Sequence, residues 1–204
     1  MNQREVLERF GPKTASTYDQ QSGRLAALHD ALHLLMGAAL ADLPEDARVL
    51  CVGAGTGAEI LYLAARFPRW RFAAVEPSEA MLEVCRRRVE ENGITQRCAF
   101  HHGYFSSLPL SQPFVAATSL LVSQFIAVRE ERVAFFADIA QRLRPDGRLV
   151  SSDLSADTRS AAYRELLRIW LQMMSATGIP PEGLERMRAA YEKDVAILPQ
   201  EEVA

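Results

Sequence analysis

The chain has 204 residues, 49% of them hydrophobic, which suffices for one α/β domain with a sizeable core and is short for two. A formal net charge of −3 excludes a global basic field of the kind that recruits a nucleic-acid backbone. Cys51, Cys85 and Cys98 stand singly, without metal-ligand spacing, and no apolar run reaches membrane-spanning length, so a cytoplasmic chain without a metal or a membrane is expected.

Residues 1–17 are polar and contain Gly11-Pro12, which predicts a loose leader or a short lid. From Tyr18 to Leu43, the residues Leu25, Leu28, Leu32, Leu35, Met36, Ala39 and Leu40 recur at helical spacing. They predict one or two amphipathic helices ending near Pro44. Arg48–Val52 is a short buried-strand pattern that runs straight into glycines.

Alternation follows, with helix 58–66, strand 71–75, helix 79–92, strand 97–101, strand 113–121 and helix 130–143. Arg144-Pro145-Asp146-Gly147 reads as a turn before a strand at 148–153. Strands alternating with helical pieces predict an α/β fold, a doubly wound and mainly parallel sheet flanked by helices. Beyond Asp153 the pattern turns helical at 157–177 and 181–193, and Leu198–Glu202 starts a further helix.

The segment Val49–Ala65 delivers a strand to Gly53, Gly55 and Gly57 and leaves at once as a helix. Glycines there permit positive φ and let a ligand approach the backbone, and the N–H groups of the helix start favour an anionic or polar group. On its own this loop fits a dinucleotide fingerprint, with Ala58 as the third small residue, as well as it fits other nucleotide cofactors. A tight strand-to-helix turn without a ligand is the bland alternative. Glu76 ends the second strand about 20 residues on, where a carboxylate accepts hydrogen bonds from ribose hydroxyls; otherwise it is an acid near the helix start at Ser78 and Glu79.

Two segments together resemble class I S-adenosylmethionine-dependent methyltransferases over about Tyr18–Asp153. They are Val52-Gly53-Ala54-Gly55-Thr56-Gly57 and Val75-Glu76-Pro77-Ser78-Glu79-Ala80-Met81-Leu82. Arg144-Pro145-Asp146-Gly147 is similar to the family's turn before strand 5. The resemblance implies a Rossmann-like fold with S-adenosylmethionine as cofactor and S-adenosylhomocysteine as product. Gly53, Ala54 and Gly55 would face the methionine part, with Gly57 completing the motif. Glu76 would hold the ribose, and Pro77 and Met81 would pack on adenine. The end of strand 4, including Leu120 and Val122, would run beside the sulfonium, and Tyr18, paired with Asp19, would help close the pocket. After strand 3 many relatives carry an acid for the adenine amino group; here the run is His102-Gly103-Tyr104-Phe105, where backbone contacts or a hydroxyl would substitute, or Tyr104 would stack on the ring.

On this basis the chain divides into a helical leader or lid (1–43), a cofactor-binding core (44–153) and a helical cap (154–204). The methyl group of a sulfonium is already activated, so positioning suffices for transfer and no fixed catalytic residue is required. His101, His102 and Asp153, at the carboxyl ends of strands, are the candidates for a base, each with a structural alternative. Arg86-Arg87-Arg88 reads as a solvated helix face, and Trp170, Met173 and Met174 as a core stripe or an acceptor pocket. The family's final two strands are absent, so an exposed sheet edge that invites a homodimer is expected.

A small-molecule methyl acceptor is the leading expectation. The helical insertion also resembles carboxy-S-adenosylmethionine synthases and their relatives in tRNA wobble-uridine modification, which leaves an enzyme of that group as an alternative. A non-catalytic cofactor-binding module is a third.

Overall fold

The computed structural model describes residues 3–109 and 112–203. Three helices lead in: α1 (Gln3–Arg9), α2 (Pro12–Ser22) and α3 (Ala26–Ala39). Then come β1 (Arg48–Val52), α4 (Ala58–Arg66), β2 (Arg71–Glu76), α5 (Glu79–Glu91), β3 (Cys98–His102), β4 (Phe114–Leu120), α6 (Arg129–Arg142) and β5 (Leu143–Ser152). Helices α7 (Ala161–Ala176), α8 (Pro181–Lys193) and α9 (Gln200–Val203) follow. The sheet is parallel throughout, in the order β3-β2-β1-β4-β5.

Side chains alternate across a strand, so β1 feeds two cores. Val49 and Cys51 pack with Met36 and Leu40 of α3, Ile60 and Leu63 of α4, and Leu82, Cys85 and Val89 of α5. Leu50 and Val52 meet Phe105, Ala117 and Ile139 on the other face. Each fully buried aliphatic side chain contributes about 1.5–3 kcal/mol. Having wound outward through β2 to β3, the chain returns to set β4 beside β1. Strand order reverses there, and a crevice opens at the carboxyl ends of β1 and β4.

Several local expectations are corrected. The leader is helical, and Phe10 of the α1–α2 junction is held through its carbonyl, which accepts the Ser78 hydroxyl at 2.6 Å. In α3 the buried face is narrower than the apolar pattern: Met36 is buried, while Leu28 and Leu35 are 52% and 68% exposed. Seven residues apart, these two leucines share a face turned away from the sheet. The turn at Arg144–Gly147 is taken into β5 as an irregularity, because Phe114 pairs with Leu143 and Ala116 already pairs with Arg148. On α7, Met174 is buried and the Trp170 indole donates to the Tyr191 hydroxyl at 2.9 Å, but Met173 is exposed and leaves the stripe.

Among the described residues β5 pairs only with β4. The last segment does not cover that edge: Leu198 forms a lone parallel bridge with Ser155, beyond the strand. No helix among the described residues is long and apolar enough to cross a membrane.

Candidate functional site

Gly53 and Gly57 take φ of +70° and +80°. A Cβ at Gly53 would stand 2.5 Å from Val122 Cγ2, and one at Gly57 would stand 2.6 Å from Cys85 Sγ, so the turn needs glycine on both counts. The loop's own donors point into the fold. Gly53 and Ala54 N–H both donate to the Val75 carbonyl at 2.8 and 3.0 Å, and Gly57 N–H donates to the Ala54 carbonyl at 2.8 Å. Gly55 N–H donates to Glu76 Oε2 at 3.0 Å. These donors are therefore satisfied by the protein and are not held out to an anion.

Glu76 is 7% exposed, and its Oε1 accepts the Ser78 N–H at 2.9 Å. Burial pushes its pKa up, against the two N–H donors and the nearby His102, which favour the carboxylate. Each oxygen accepts one backbone N–H and keeps lone-pair capacity. The helix behind is fixed by the Ser78 hydroxyl, which accepts the Met81 N–H at 3.3 Å as the α5 cap.

Two adjoining cavities occupy the crevice. The first, about 570 Å³, is lined by Gly53, Ala54 and Gly55 of the loop and by Glu76, Pro77 and Met81 of the β2–α5 junction. Leu120 and Val122 line it from the end of β4, and Tyr18 enters from α2. The second, about 1110 Å³, takes Tyr104 and Phe105 after β3 and Glu131, Phe135 and Asp138 of α6. Gly53, Pro77 and Val122 line both, so the cavities form one cleft across the switch point. Helix α6 thus brings two carboxyl groups to this cavity, Glu131 and Asp138, the latter paired with Arg142. Burial and the charge of Glu76 push the Tyr104 phenol up.

Gly57 and Gly103 line neither cavity; Gly103 lies against Ser107 Oγ, 2.7 Å from where its Cβ would be. The three candidate bases lie outside as well. His101 Nε2 is 2.9 Å from Ser107 Oγ. His102 places Nε2 3.2 Å from the Pro77 carbonyl and Nδ1 3.0 Å from Glu79 Oε2. Asp153 accepts the Ser123 hydroxyl at 2.6 Å and the Gln124 N–H at 2.8 Å, which clips the end of β5 to the 3₁₀ turn after β4. The Asp19 side chain lies outside the described residues.

Other lining residues carry no family motif. His29, Asp30 and His33 reach the first cavity from α3, Thr56 from the glycine loop, Glu59 and Tyr62 from α4, and Arg88 from α5. His33 stacks on Tyr62 at 5.4 Å, and burial together with the neighbouring His29 lowers its pKa, with Asp30 opposing. Of the arginine triple, Arg86 and Arg87 pair with Glu83 and Glu91 on the surface, but Arg88 turns inward and donates to the Thr56 carbonyl and hydroxyl at 3.2 and 3.1 Å. At the mouth, the Phe10 ring meets Phe125 edge-on at 5.5 Å and Tyr18 at 6.4 Å. Arg9 beside it pairs with Asp194 after α8 at 3.0 Å.

A parallel sheet in this order, with a glycine turn at the switch point and an acid ending β2, defines a Rossmann-like nucleotide-cofactor fold. Residues 49–147 match the family model of a methyltransferase domain. Over that span the chain is similar in sequence and fold to class I S-adenosylmethionine-dependent methyltransferases. It is 31% identical to CalS10, an amino pentose methyltransferase from Micromonospora echinaspora, over 61% of this chain and 50% of that one, with a TM-score of 0.52. It is similar to DesVI of Streptomyces venezuelae at 25% identity, over 72% and 60% of the two chains, with a TM-score of 0.59. Geranyl diphosphate C-methyltransferase of Streptomyces coelicolor, at 18% identity and a TM-score of 0.63, shares the fold over 88% of this chain and 58% of its own. A curated polyketide synthase, ThaQ of Burkholderia thailandensis, is 25% identical over 140 residues, which are 65% of this chain and 6% of that protein. The chain thus spans half of CalS10 and a small part of the synthase.

Proposed function

We propose that the chain binds S-adenosylmethionine across the two cavities and methylates a small molecule. The observation that carries this is Glu76. Its two oxygens, each fixed by one backbone N–H, present a rigid acceptor pair matched to the vicinal hydroxyls of a ribose. Pro77 and Met81 on one side and Val122 on the other would hold the adenosine, with Tyr104 and Phe105 against the base. Residues 1–43 act as a lid through Phe10 and Tyr18, 44–153 as the cofactor core and 154–204 as a cap.

When bound, S-adenosylmethionine supplies a methyl group already activated on a sulfonium. The protein's part is to orient the two reactants and exclude water, and effective molarities from such positioning account for about 7–11 kcal/mol of a barrier. His101, His102 and Asp153 are each engaged elsewhere, which favours positioning over general-base help. The acceptor is proposed to be small because net charge offers no field for a polyanion. An amino sugar is the first class to screen, since CalS10 is an amino pentose methyltransferase.

Calorimetric titration with S-adenosylmethionine, S-adenosylhomocysteine and NAD, on the wild type and on Glu76→Ala, tests the cofactor. Binding of the two sulfur compounds but not NAD, lost in the variant, is expected; a preference for NAD would overturn the proposal. Release of S-adenosylhomocysteine with an acceptor then separates an enzyme from a binding module.

A further inference from the structure

Glu59 stands in the first turn of α4, lines the first cavity and is 6% exposed. Its Oε1 accepts the Thr118 hydroxyl from β4 at 2.7 Å, and the Cys51 thiol of β1 donates to the same carboxyl. Both partners are neutral. Cys51 and Cys85, the nearest thiols, are themselves pushed up by burial, and the charge of Glu76 opposes that of Glu59. Arg88, which also lines the cavity, donates to the Thr56 carbonyl and hydroxyl. Among the described residues no cation pairs with this buried carboxyl, so its charged form is costly, and a strongly perturbed acid in a cleft is a candidate ligand contact.

The neighbouring wall points the same way. With Gly53, Ala54, Gly55 and Gly57 N–H all donating within the fold, the loop beside Glu59 offers no anion site through those donors. A carboxylate has about four lone-pair sites, and two are taken here. What suits the corner is a compact cation with several N–H donors.

We propose that Glu59 receives the α-ammonium group of the cofactor's methionine end. The assignment rests on the cofactor proposed above and makes Glu59 a binding residue for the amino-acid moiety, as Glu76 is for the ribose. Burial holds the free carboxyl up at about 7, so an arriving ammonium would draw it to the ionised form and release a proton.

The test compares S-adenosylhomocysteine with 5′-methylthioadenosine, which keeps the adenosine and the thioether and lacks the amino acid. Both are titrated calorimetrically into the wild type and Glu59→Gln at pH 7, in two buffers of different ionisation enthalpy. Expected is a loss of tenfold or more for S-adenosylhomocysteine, a change of less than twofold for methylthioadenosine, and a proton release seen in the wild type only. Retained methylthioadenosine binding also reports an intact fold. Equal weakening of both ligands, or of neither, overturns the assignment. A wild type that binds neither overturns the cofactor proposal and this one with it. Glu59→Asp, which keeps the charge at a shorter reach, is expected to fall between.

Discussion

The Ser78 hydroxyl is shared between two structures: it caps α5 by accepting the Met81 N–H at 3.3 Å and holds the leader by donating to the Phe10 carbonyl at 2.6 Å. The side chain beside Glu76 thereby ties the start of α5 to the leader. Ser78→Ala is expected to cost about 1–2 kcal/mol for the lost cap and to free the leader. Ser160→Ala is the control, because Ser160 caps α7 at 3.0 Å through Tyr163 without touching the leader. Limited proteolysis within residues 9–22 should accelerate in Ser78→Ala and stay unchanged in Ser160→Ala. Equal rates would show that the hydrogen bond does not hold the leader.

Gly53 leaves no room for a side chain beside Val122. Gly53→Ala is expected to destabilise by about 2–4 kcal/mol, from a left-handed φ that costs about 1–2 kcal/mol and from the clash with Val122. Since the clash falls on the Val122 methyl groups, Val122→Ala in the same chain should recover part of that loss and leave the backbone strain. A double-mutant cycle by urea unfolding reads the coupling. Additive effects would mean that the loop relaxes away from β4.

The sheet was legible because β1, β2 and β4 are short apolar runs, and the glycine loop marks the end of β1. The site was legible only where the backbone imposes the residue type. Gly53, Gly55 and Glu76 are fixed by turn geometry and by the end of β2, so their spacing survives in sequence. Glu59, Arg88 and His33 reach the same cleft from helices, where acids and bases are ordinary surface residues and only packing turns them inward. His102 and Asp153 also stand at strand ends, and there Pro77, Glu79, Ser123 and Gln124 supply them with local partners.

The outer edge of β5 carries Arg148 and a bulged Arg144–Gly147, features that resist edge pairing, yet its backbone beyond Arg148 is paired on one side alone among the described residues. Helix α7 exposes Leu166, Ile169 and Met173 at 61%, 49% and 41%. Self-association is the expected outcome. Sedimentation at micromolar concentrations should show a concentration-dependent dimer that weakens in Ile169→Lys. A monomer at all concentrations would count against an edge-mediated homodimer.

Glu59 also sets a direction for stability. Its pKa rises from 4.5 to about 7 in the folded chain, so the native state holds this proton more tightly than the unfolded one. The group's contribution is therefore most favourable below pH 4.5, declines between about 4.5 and 7, and above 7 amounts to a penalty of about 3 kcal/mol. Glu76, also raised by burial, acts in the same sense, whereas the exposed Asp42 beside Arg148 acts in the opposite one. Glu59→Gln removes the ionisation. The ligand-free variant should be more stable than the wild type at pH 8, by up to about 3 kcal/mol less the cost of placing the new amide, and nearly equal to it at pH 5. Urea unfolding at the two values measures this. The same substitution would then raise stability while lowering affinity for S-adenosylhomocysteine, as expected of a charge kept buried for a ligand. Parallel pH profiles in the two proteins would mean that Glu59 is not the group responsible.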